Sequence, residues 1–169
     1  GPCAGLASEE LDDPVEFPHS TGNYLVVTDP LDGSSNIDVD VSIGTIFGII
    51  RHDRAKGVPD ISSFLRPGRE YAAAGYVIYR SSTVLVLSTG KGVHAFTWEP
   101  GAGEFFLSHE NIRIPAKGNI CSVNEGNYAR WTDGVKRWSA HMKGVDASEG
   151  RPYTHPYLGS LVADVHRTL

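Results

Sequence analysis

A chain of 169 residues with 40% apolar and 21% charged side chains is long enough for one domain or a piece of a larger one, and reads as soluble and globular. A net charge of -5 without any Lys/Arg block argues against an electrostatic hold on nucleic acid or on anionic membranes. Cys3 and Cys121 are too few for a disulfide framework and match no zinc spacing, and the apolar runs fall far short of a ~20-residue membrane span, so a cytoplasmic protein is expected.

In chain order, the first ordered element expected is Tyr24 to Thr28, a β-branched and apolar run that reads as a buried strand ending at Asp29, because Pro30 restricts the residue before it. Val41 to Arg51 gives a second strand, followed by a polar loop from His52 to about Asp60. Short extended runs then alternate with turn clusters: Tyr71 to Tyr79, Thr83 to Ser88, Gly92 to Trp98 and Glu104 to Ser108. That pattern predicts an antiparallel meander. Thr132 and Asp133 cap a helix running to about Lys143, and Leu158, Leu161, Val162 and Val165 give Tyr157 to Leu169 helical spacing. The last helix stops without a terminating residue and the chain starts without Met, so both ends are expected to lie inside a longer protein.

The densest chemical signal is the octapeptide from Asp29 to Asn36, D-P-L-D-G-S-S-N, where a strand end carries two carboxylates three residues apart around a turn. A hard divalent cation takes oxygen ligands, which Asp29, Asp32 and the Leu31 carbonyl can offer, with waters and a phosphate completing an octahedron. Gly33 lets the backbone turn sharply, and Ser34 and Ser35 present donors to a phosphate oxygen. An Asp-Gly turn with solvated acids is the alternative. An EF-hand is excluded because the third position from Asp29 is Leu31, and Pro30-Leu31 between the acids excludes a D-x-D phosphoryl-transfer site.

Glu9 and Glu10 form a second acidic pair about twenty residues upstream, on a stretch that reads as loop. Brought beside Asp29 and Asp32, one Glu could bridge metals while the other orients or deprotonates a water; otherwise the pair is a solvated run with Asp12 and Asp13. Asn124 to Tyr128 and Tyr157 to Ser160 are polar segments whose donors could hold a sugar phosphate, and Arg130 reads as a surface residue. No H-x-x-x-H or H-E-x-x-H spacing occurs, so His94, His109, His141 and His166 read as structural.

Together these segments resemble the class I fructose-1,6-bisphosphatases of the bacterial and plant cytosolic type. The markers are S-E-E at 8–10, D-P-L-D-G-S-S-N-I-D at 29–38, S-I-G-T-I-F-G-I at 42–49, A-A-G-Y-V-I-Y at 73–79, N-E-G-N-Y at 124–128 and G-S-L-V-A-D-V-H-R at 159–167. The resemblance implies an α/β fold, the layered sandwich of the inositol monophosphatase-like sugar phosphatases, cut at both ends. Residues 1–120 would carry the metal-bearing part of the N-terminal sheet, and 121–169 the start of the C-terminal half with its helices and substrate loop. It implies that Glu9, Asp29, Asp32 and the Leu31 carbonyl bind Mg²⁺ or Mn²⁺, two to three ions per site, and that Glu10 helps to activate water. Asp32, Gly33, Ser34 and Ser35 would face the 1-phosphate of fructose 1,6-bisphosphate, and Asn124 and Tyr157 the 6-phosphate. The activity implied is metal-dependent hydrolysis to fructose 6-phosphate, a gluconeogenic step, by a homotetramer without nucleic-acid or membrane partners. A Glu and a Lys that complete the site in relatives lie downstream of Leu169, so the 169 residues alone are expected to be inactive.

Two departures stand out. Pro156 occupies the position where relatives carry an arginine that reaches the 6-phosphate of a neighbouring subunit's substrate, with His155 as a weak substitute. Asn23 replaces a lysine that contacts the inhibitor AMP in some relatives, whereas Tyr24 and Arg51 match. The rival readings are a phosphatase for sedoheptulose or inositol phosphates and a non-catalytic paralogue that binds metal or sugar phosphate. Asn36-Ile37-Asp38 and N-E-G-N-Y favour the fructose enzyme.

Overall fold

The structure is a computed structural model that describes residues 1–17, 19–39 and 41–169. Among them, eight strands form one mixed sheet: β1 (Cys3–Ser8), β2 (Val15–Glu16), β3 (Tyr24–Asp32), β4 (Ile43–Arg51), β5 (Ala73–Tyr79), β6 (Val84–Ser88), β7 (His94–Glu99) and β8 (Glu104–His109). Their spatial order is β2-β1-β3-β4-β5-β6-β7-β8. Only the β1–β3 pair is parallel; from β3 onward each strand pairs antiparallel with the next in sequence. The expected meander is therefore present.

Three local expectations need correction. Residues 3–8 are a strand, not part of a loop, although Ala4, Gly5 and Ala7 make it poor in the β-branched residues that mark strands. The β3 strand does not end at Asp29 but runs through Pro30 to Asp32. Pro30 is tolerated there because the β3–β4 ladder breaks register between Asp29 and Asp32, where three steps on β3 face two on β4. The last helix starts later than its apolar spacing suggests. Tyr157 to Ser160 are not helical, and α3 covers Leu161–Thr168 with Ser160 as its N-cap. The earlier helices are α1 (Ile61–Phe64) and α2 (Asp133–Lys143); α2 is capped by Thr132, as expected.

Residues paired across a ladder share a face, which defines the buried side. Leu25 pairs with Ile50, Ile46 with Tyr76, and Tyr76 with Val86, and all of these line one face. One core cluster on that face joins Leu25 and Ile50 to Phe64 of α1, and the other joins Tyr76, Ile78 and Val86 to Val162 and Ala163 of α3. Val162 is 1% exposed, and burying such a side chain stabilises by about 1.5–3 kcal/mol. The helix can come this close because position 44 is glycine. A Cβ there would lie 2.8 Å from Val162 Cγ1 and 2.4 Å from the Val77 carbonyl.

A second tie fixes the other end of α3. The Tyr76 hydroxyl and His166 Nδ1 lie 3.0 Å apart, with their rings edge to face at 5.9 Å. Burial pushes the Tyr76 phenol up to about 12, so it stays protonated. Burial first, then the charges of Arg80 and His109, holds His166 below its ordinary 6.5, so the unfolded chain binds a proton more readily than the folded one. The stability from the neutral ring is complete above 6.5 and is lost as pH falls through the lower folded value. In the full-length protein, denaturant unfolding followed from about pH 8 to about pH 5 should show this loss, and His166→Gln should flatten it. An unchanged pH slope in His166→Gln would contradict the assignment.

Candidate active site

The break in the β3–β4 register decides where the acidic residues point. On a regular strand, residues three apart face opposite sides of the sheet. Here Asp29 pairs with Ile46 and Asp32 with Gly44, and these partners are two apart on β4, so both aspartates sit on the face that carries α3. The Thr45 hydroxyl secures the break by donating to the Pro30 carbonyl at 2.9 Å. Asp29 Oδ1 accepts from the Leu31 N–H at 3.0 Å, which folds the carboxylate back over the turn.

Glu9 reaches the same region by the parallel pairing of β1 with β3, its N–H donating to the Thr28 carbonyl at 3.0 Å. Glu9 and Asp29 line one hollow of about 480 Å³, floored by Val27, Ile46 and Gly48 and bounded by Tyr71. Glu10 follows in the turn after β1, exposed, with its N–H 3.4 Å from the Ser8 hydroxyl. Sheet topology thus brings the two acidic segments side by side.

Asp32 is held differently. Its Oδ2 accepts from the Ser160 hydroxyl at 2.8 Å and the Val162 N–H at 2.7 Å, and its Oδ1 from the Leu161 N–H at 3.2 Å. The carboxylate therefore sits on the first turn of α3, where free N–H groups and the helix dipole favour a negative charge. Among the described residues no three His, Cys, Asp or Glu side chains gather into a group that could hold a metal ion. The chemistry of the donor set nonetheless suits a hard cation. All candidate donors are oxygens, and Mg²⁺ is commonly held by one or two carboxylates with water and substrate phosphate completing its shell. A carboxylate offers about four lone-pair positions, and Asp32 commits three of them to α3, leaving one on Oδ1.

The turn expected to face the 1-phosphate follows directly. Gly33 has φ +80, in the left-handed region, and a Cβ there would meet Ser160 Cβ at 3.0 Å, so the backbone conformation and the close approach both favour glycine. Ser34 and Ser35 open a 3₁₀ turn, Ser34–Val39, and are exposed. Asn36 Nδ2 donates to the carbonyls of Leu158 and Gly159 at 3.1 and 3.4 Å. Residues 32–36 and 158–162 are thus joined at both ends.

The two residues expected at the second phosphate also meet: Asn124 Nδ2 donates to the Tyr157 hydroxyl at 3.4 Å. Asn124 is held from behind, accepting from the Gly126 N–H at 3.0 Å as the cap of the 3₁₀ turn Glu125–Arg130, which leaves Arg130 exposed at its end. The Pro156 carbonyl accepts from Arg167 at 3.5 Å, and His155 lies against Cys121, its ring nitrogens 3.3 and 3.4 Å from the sulfur. Burial pushes the Cys121 thiol up, as does the nearby Glu125 charge. Arg51 lies over the Tyr24 ring at 5.9 Å. Local pattern did not single out Ser160 as a partner of Asp32; its one signal is the Ser that caps α3.

Among the described residues no helix is long and apolar enough to cross a membrane. The family model for the fructose-1-6-bisphosphatase N-terminal domain matches residues 1–110, and that for the C-terminal domain matches residues 114–169. A class 1 fructose-1,6-bisphosphatase of Sorangium cellulosum is 58% identical over 171 residues, covering 100% of this chain and 49% of that protein. One from Maridesulfovibrio salexigens is 53% identical over 172 residues, with 100% and 51% covered. The chain therefore spans about half the length of the curated relatives it matches. The fold is similar to the T-state crystal structure of Leishmania major fructose-1,6-bisphosphatase, at TM-score 0.89 and 40% identity over 99% of this chain and 53% of that one. The holo form of the same enzyme gives 0.88 and 39%, covering 98% and 52%. With both domain models matched end to end on a sheet of the same fold, the chain belongs to the fructose-1,6-bisphosphatase family.

Proposed function

We propose that the full-length protein containing this chain hydrolyses the 1-phosphate of fructose 1,6-bisphosphate to fructose 6-phosphate and phosphate. The observation that supports this reading is the joining of residues 32–36 to residues 158–162, the stretch that follows Tyr157 and its partner Asn124. A bisphosphate needs two anion-facing sites a fixed span apart, and a carboxylate-rich edge at one of them only.

In this reading Glu9, Asp29, Asp32 and the Leu31 carbonyl hold Mg²⁺ or Mn²⁺, two to three ions per site. The metals supply Lewis-acid neutralisation of charge at the phosphoryl group. Glu10 stands next to that set as the proton acceptor for the attacking water. Gly33, Ser34 and Ser35 orient the 1-phosphate through backbone N–H and hydroxyl donors, holding it for in-line attack. Asn124 and Tyr157 fix the far phosphate, and binding there helps to align the reacting end. The same reading makes a cytoplasmic homotetramer the working form.

Two measurements test it in the full-length protein. Asp32→Ala should lower kcat for fructose 1,6-bisphosphate by more than about 100-fold, because it removes a ligand that acts in the transition state. Near-normal kcat at saturating Mg²⁺ would contradict the role. Pro156→Arg should lower KM by about 10-fold or more with little change in kcat, since a guanidinium adds a charge-assisted bond of about 1.5–3 kcal/mol to phosphate. If that arginine acts across subunits, the gain should disappear when the oligomer is dissociated; an unchanged KM in the intact oligomer would count against the 6-phosphate placement.

A further inference from the structure

We propose that Ser160 is a positioning residue for metal binding, acting through Asp32. The inference rests on the reading of Asp32 as a metal ligand and extends it to a residue that touches neither metal nor substrate.

Ser160 is 2% exposed and its hydroxyl works in both directions: it donates to Asp32 Oδ2 at 2.8 Å and accepts from the Ala163 N–H at 3.3 Å. The same atom therefore caps α3 and anchors the carboxylate. With the Val162 N–H at 2.7 Å, both lone pairs of Oδ2 are occupied, so the carboxylate cannot turn Oδ2 outward without breaking two hydrogen bonds. Only Oδ1 keeps an uncommitted lone pair. The Leu161 N–H at 3.2 Å fixes the direction in which that lone pair points. A ligand set before the cation arrives loses little rotamer freedom on binding, and that is the usual effect of groups that hold metal ligands from behind.

The surroundings are shaped to this contact. Glycine at 33 lets Ser160 come within reach; a Cβ there would lie 3.0 Å from Ser160 Cβ and 3.2 Å from its Oγ. Asn36 holds the adjoining carbonyls of Leu158 and Gly159, so the approach of residues 158–160 to the turn does not depend on Ser160 alone. Removing the hydroxyl should accordingly free the Asp32 side chain while the two segments remain joined.

The test is Mn²⁺ binding to the full-length protein, measured by calorimetric titration for the parent, Ser160→Ala, Asp32→Asn and the double variant, alongside the melting temperature of each metal-free form. Ser160→Ala should weaken Mn²⁺ binding by about 10–100-fold when Asp32 is present, and by no more than about 3-fold in the Asp32→Asn background. Should Ser160→Ala fail to fold, Ser160→Cys keeps the side-chain shape, slightly enlarged, with a poor donor and should show the same pattern. A lowered melting temperature with unchanged Mn²⁺ affinity would reduce Ser160 to a helix cap and overturn the inference. So would equal weakening in both backgrounds. If Asp32→Asn itself leaves Mn²⁺ affinity intact, the metal reading of Asp32 fails, and the inference falls with it for a separately visible reason.

Discussion

The attachment of the Asp32 carboxylate to the first turn of α3 links residues 128 to 130 positions apart in the chain, and much of the site depends on it. Each of these bonds involves a charged acceptor, and such bonds contribute about 1.5–3 kcal/mol when well formed. The helix dipole adds up to about 2 kcal/mol for a carboxylate in this place. The contact also sets geometry. It places the turn of Gly33, Ser34 and Ser35 against residues 158–160, and the same stretch leads back to Tyr157 and its partner Asn124.

This arrangement needs the sheet and the helix to agree on one face. The break in register at Pro30 moves Asp32 onto the side of Asp29, and Gly44 clears the space into which Val162 settles. Val162 and Ala163 then bury α3 against Tyr76, Ile78 and Val86. The apolar contact and the polar anchor reinforce one another, because the residues that pack the helix directly follow the one that caps it. A larger residue at 44 would have to displace Val162, and with it the donors that meet Asp32.

Local pattern made the antiparallel meander, the Thr132 cap and the paired aspartates legible, since each is carried by neighbouring residues of strong preference. It missed β1 because Ala4, Gly5 and Ala7 lack the branched side chains that announce a strand, and the strand is stabilised by pairing on both sides. It puts the end of β3 at Asp29 because Pro30 restricts the residue before it, whereas a break in register accommodates the proline within the strand. By spacing alone Leu158 belongs to the last helix, since it is apolar at the right interval. It does pack against the core, but from a non-helical segment before Gly159, whose φ of +70 turns the chain into the Ser160 cap. The role of Ser160 was out of reach for a plainer reason: no local spacing encodes a partner so far away.

The proposed metal role requires Asp32 to be held by α3 through Oδ2 and to serve a cation through Oδ1 at the same time. A crystal structure of the full-length protein soaked with Mn²⁺, with the ion located by its anomalous signal, tests this directly. The expected result is a peak about 2.0–2.6 Å from Asp32 Oδ1, the span of oxygen ligands to hard divalent cations, with Glu9 or Asp29 in the same shell and Ser160 still bonded to Oδ2. A peak away from Asp32, or an Asp32 side chain rotated off α3 to reach the ion, would contradict it.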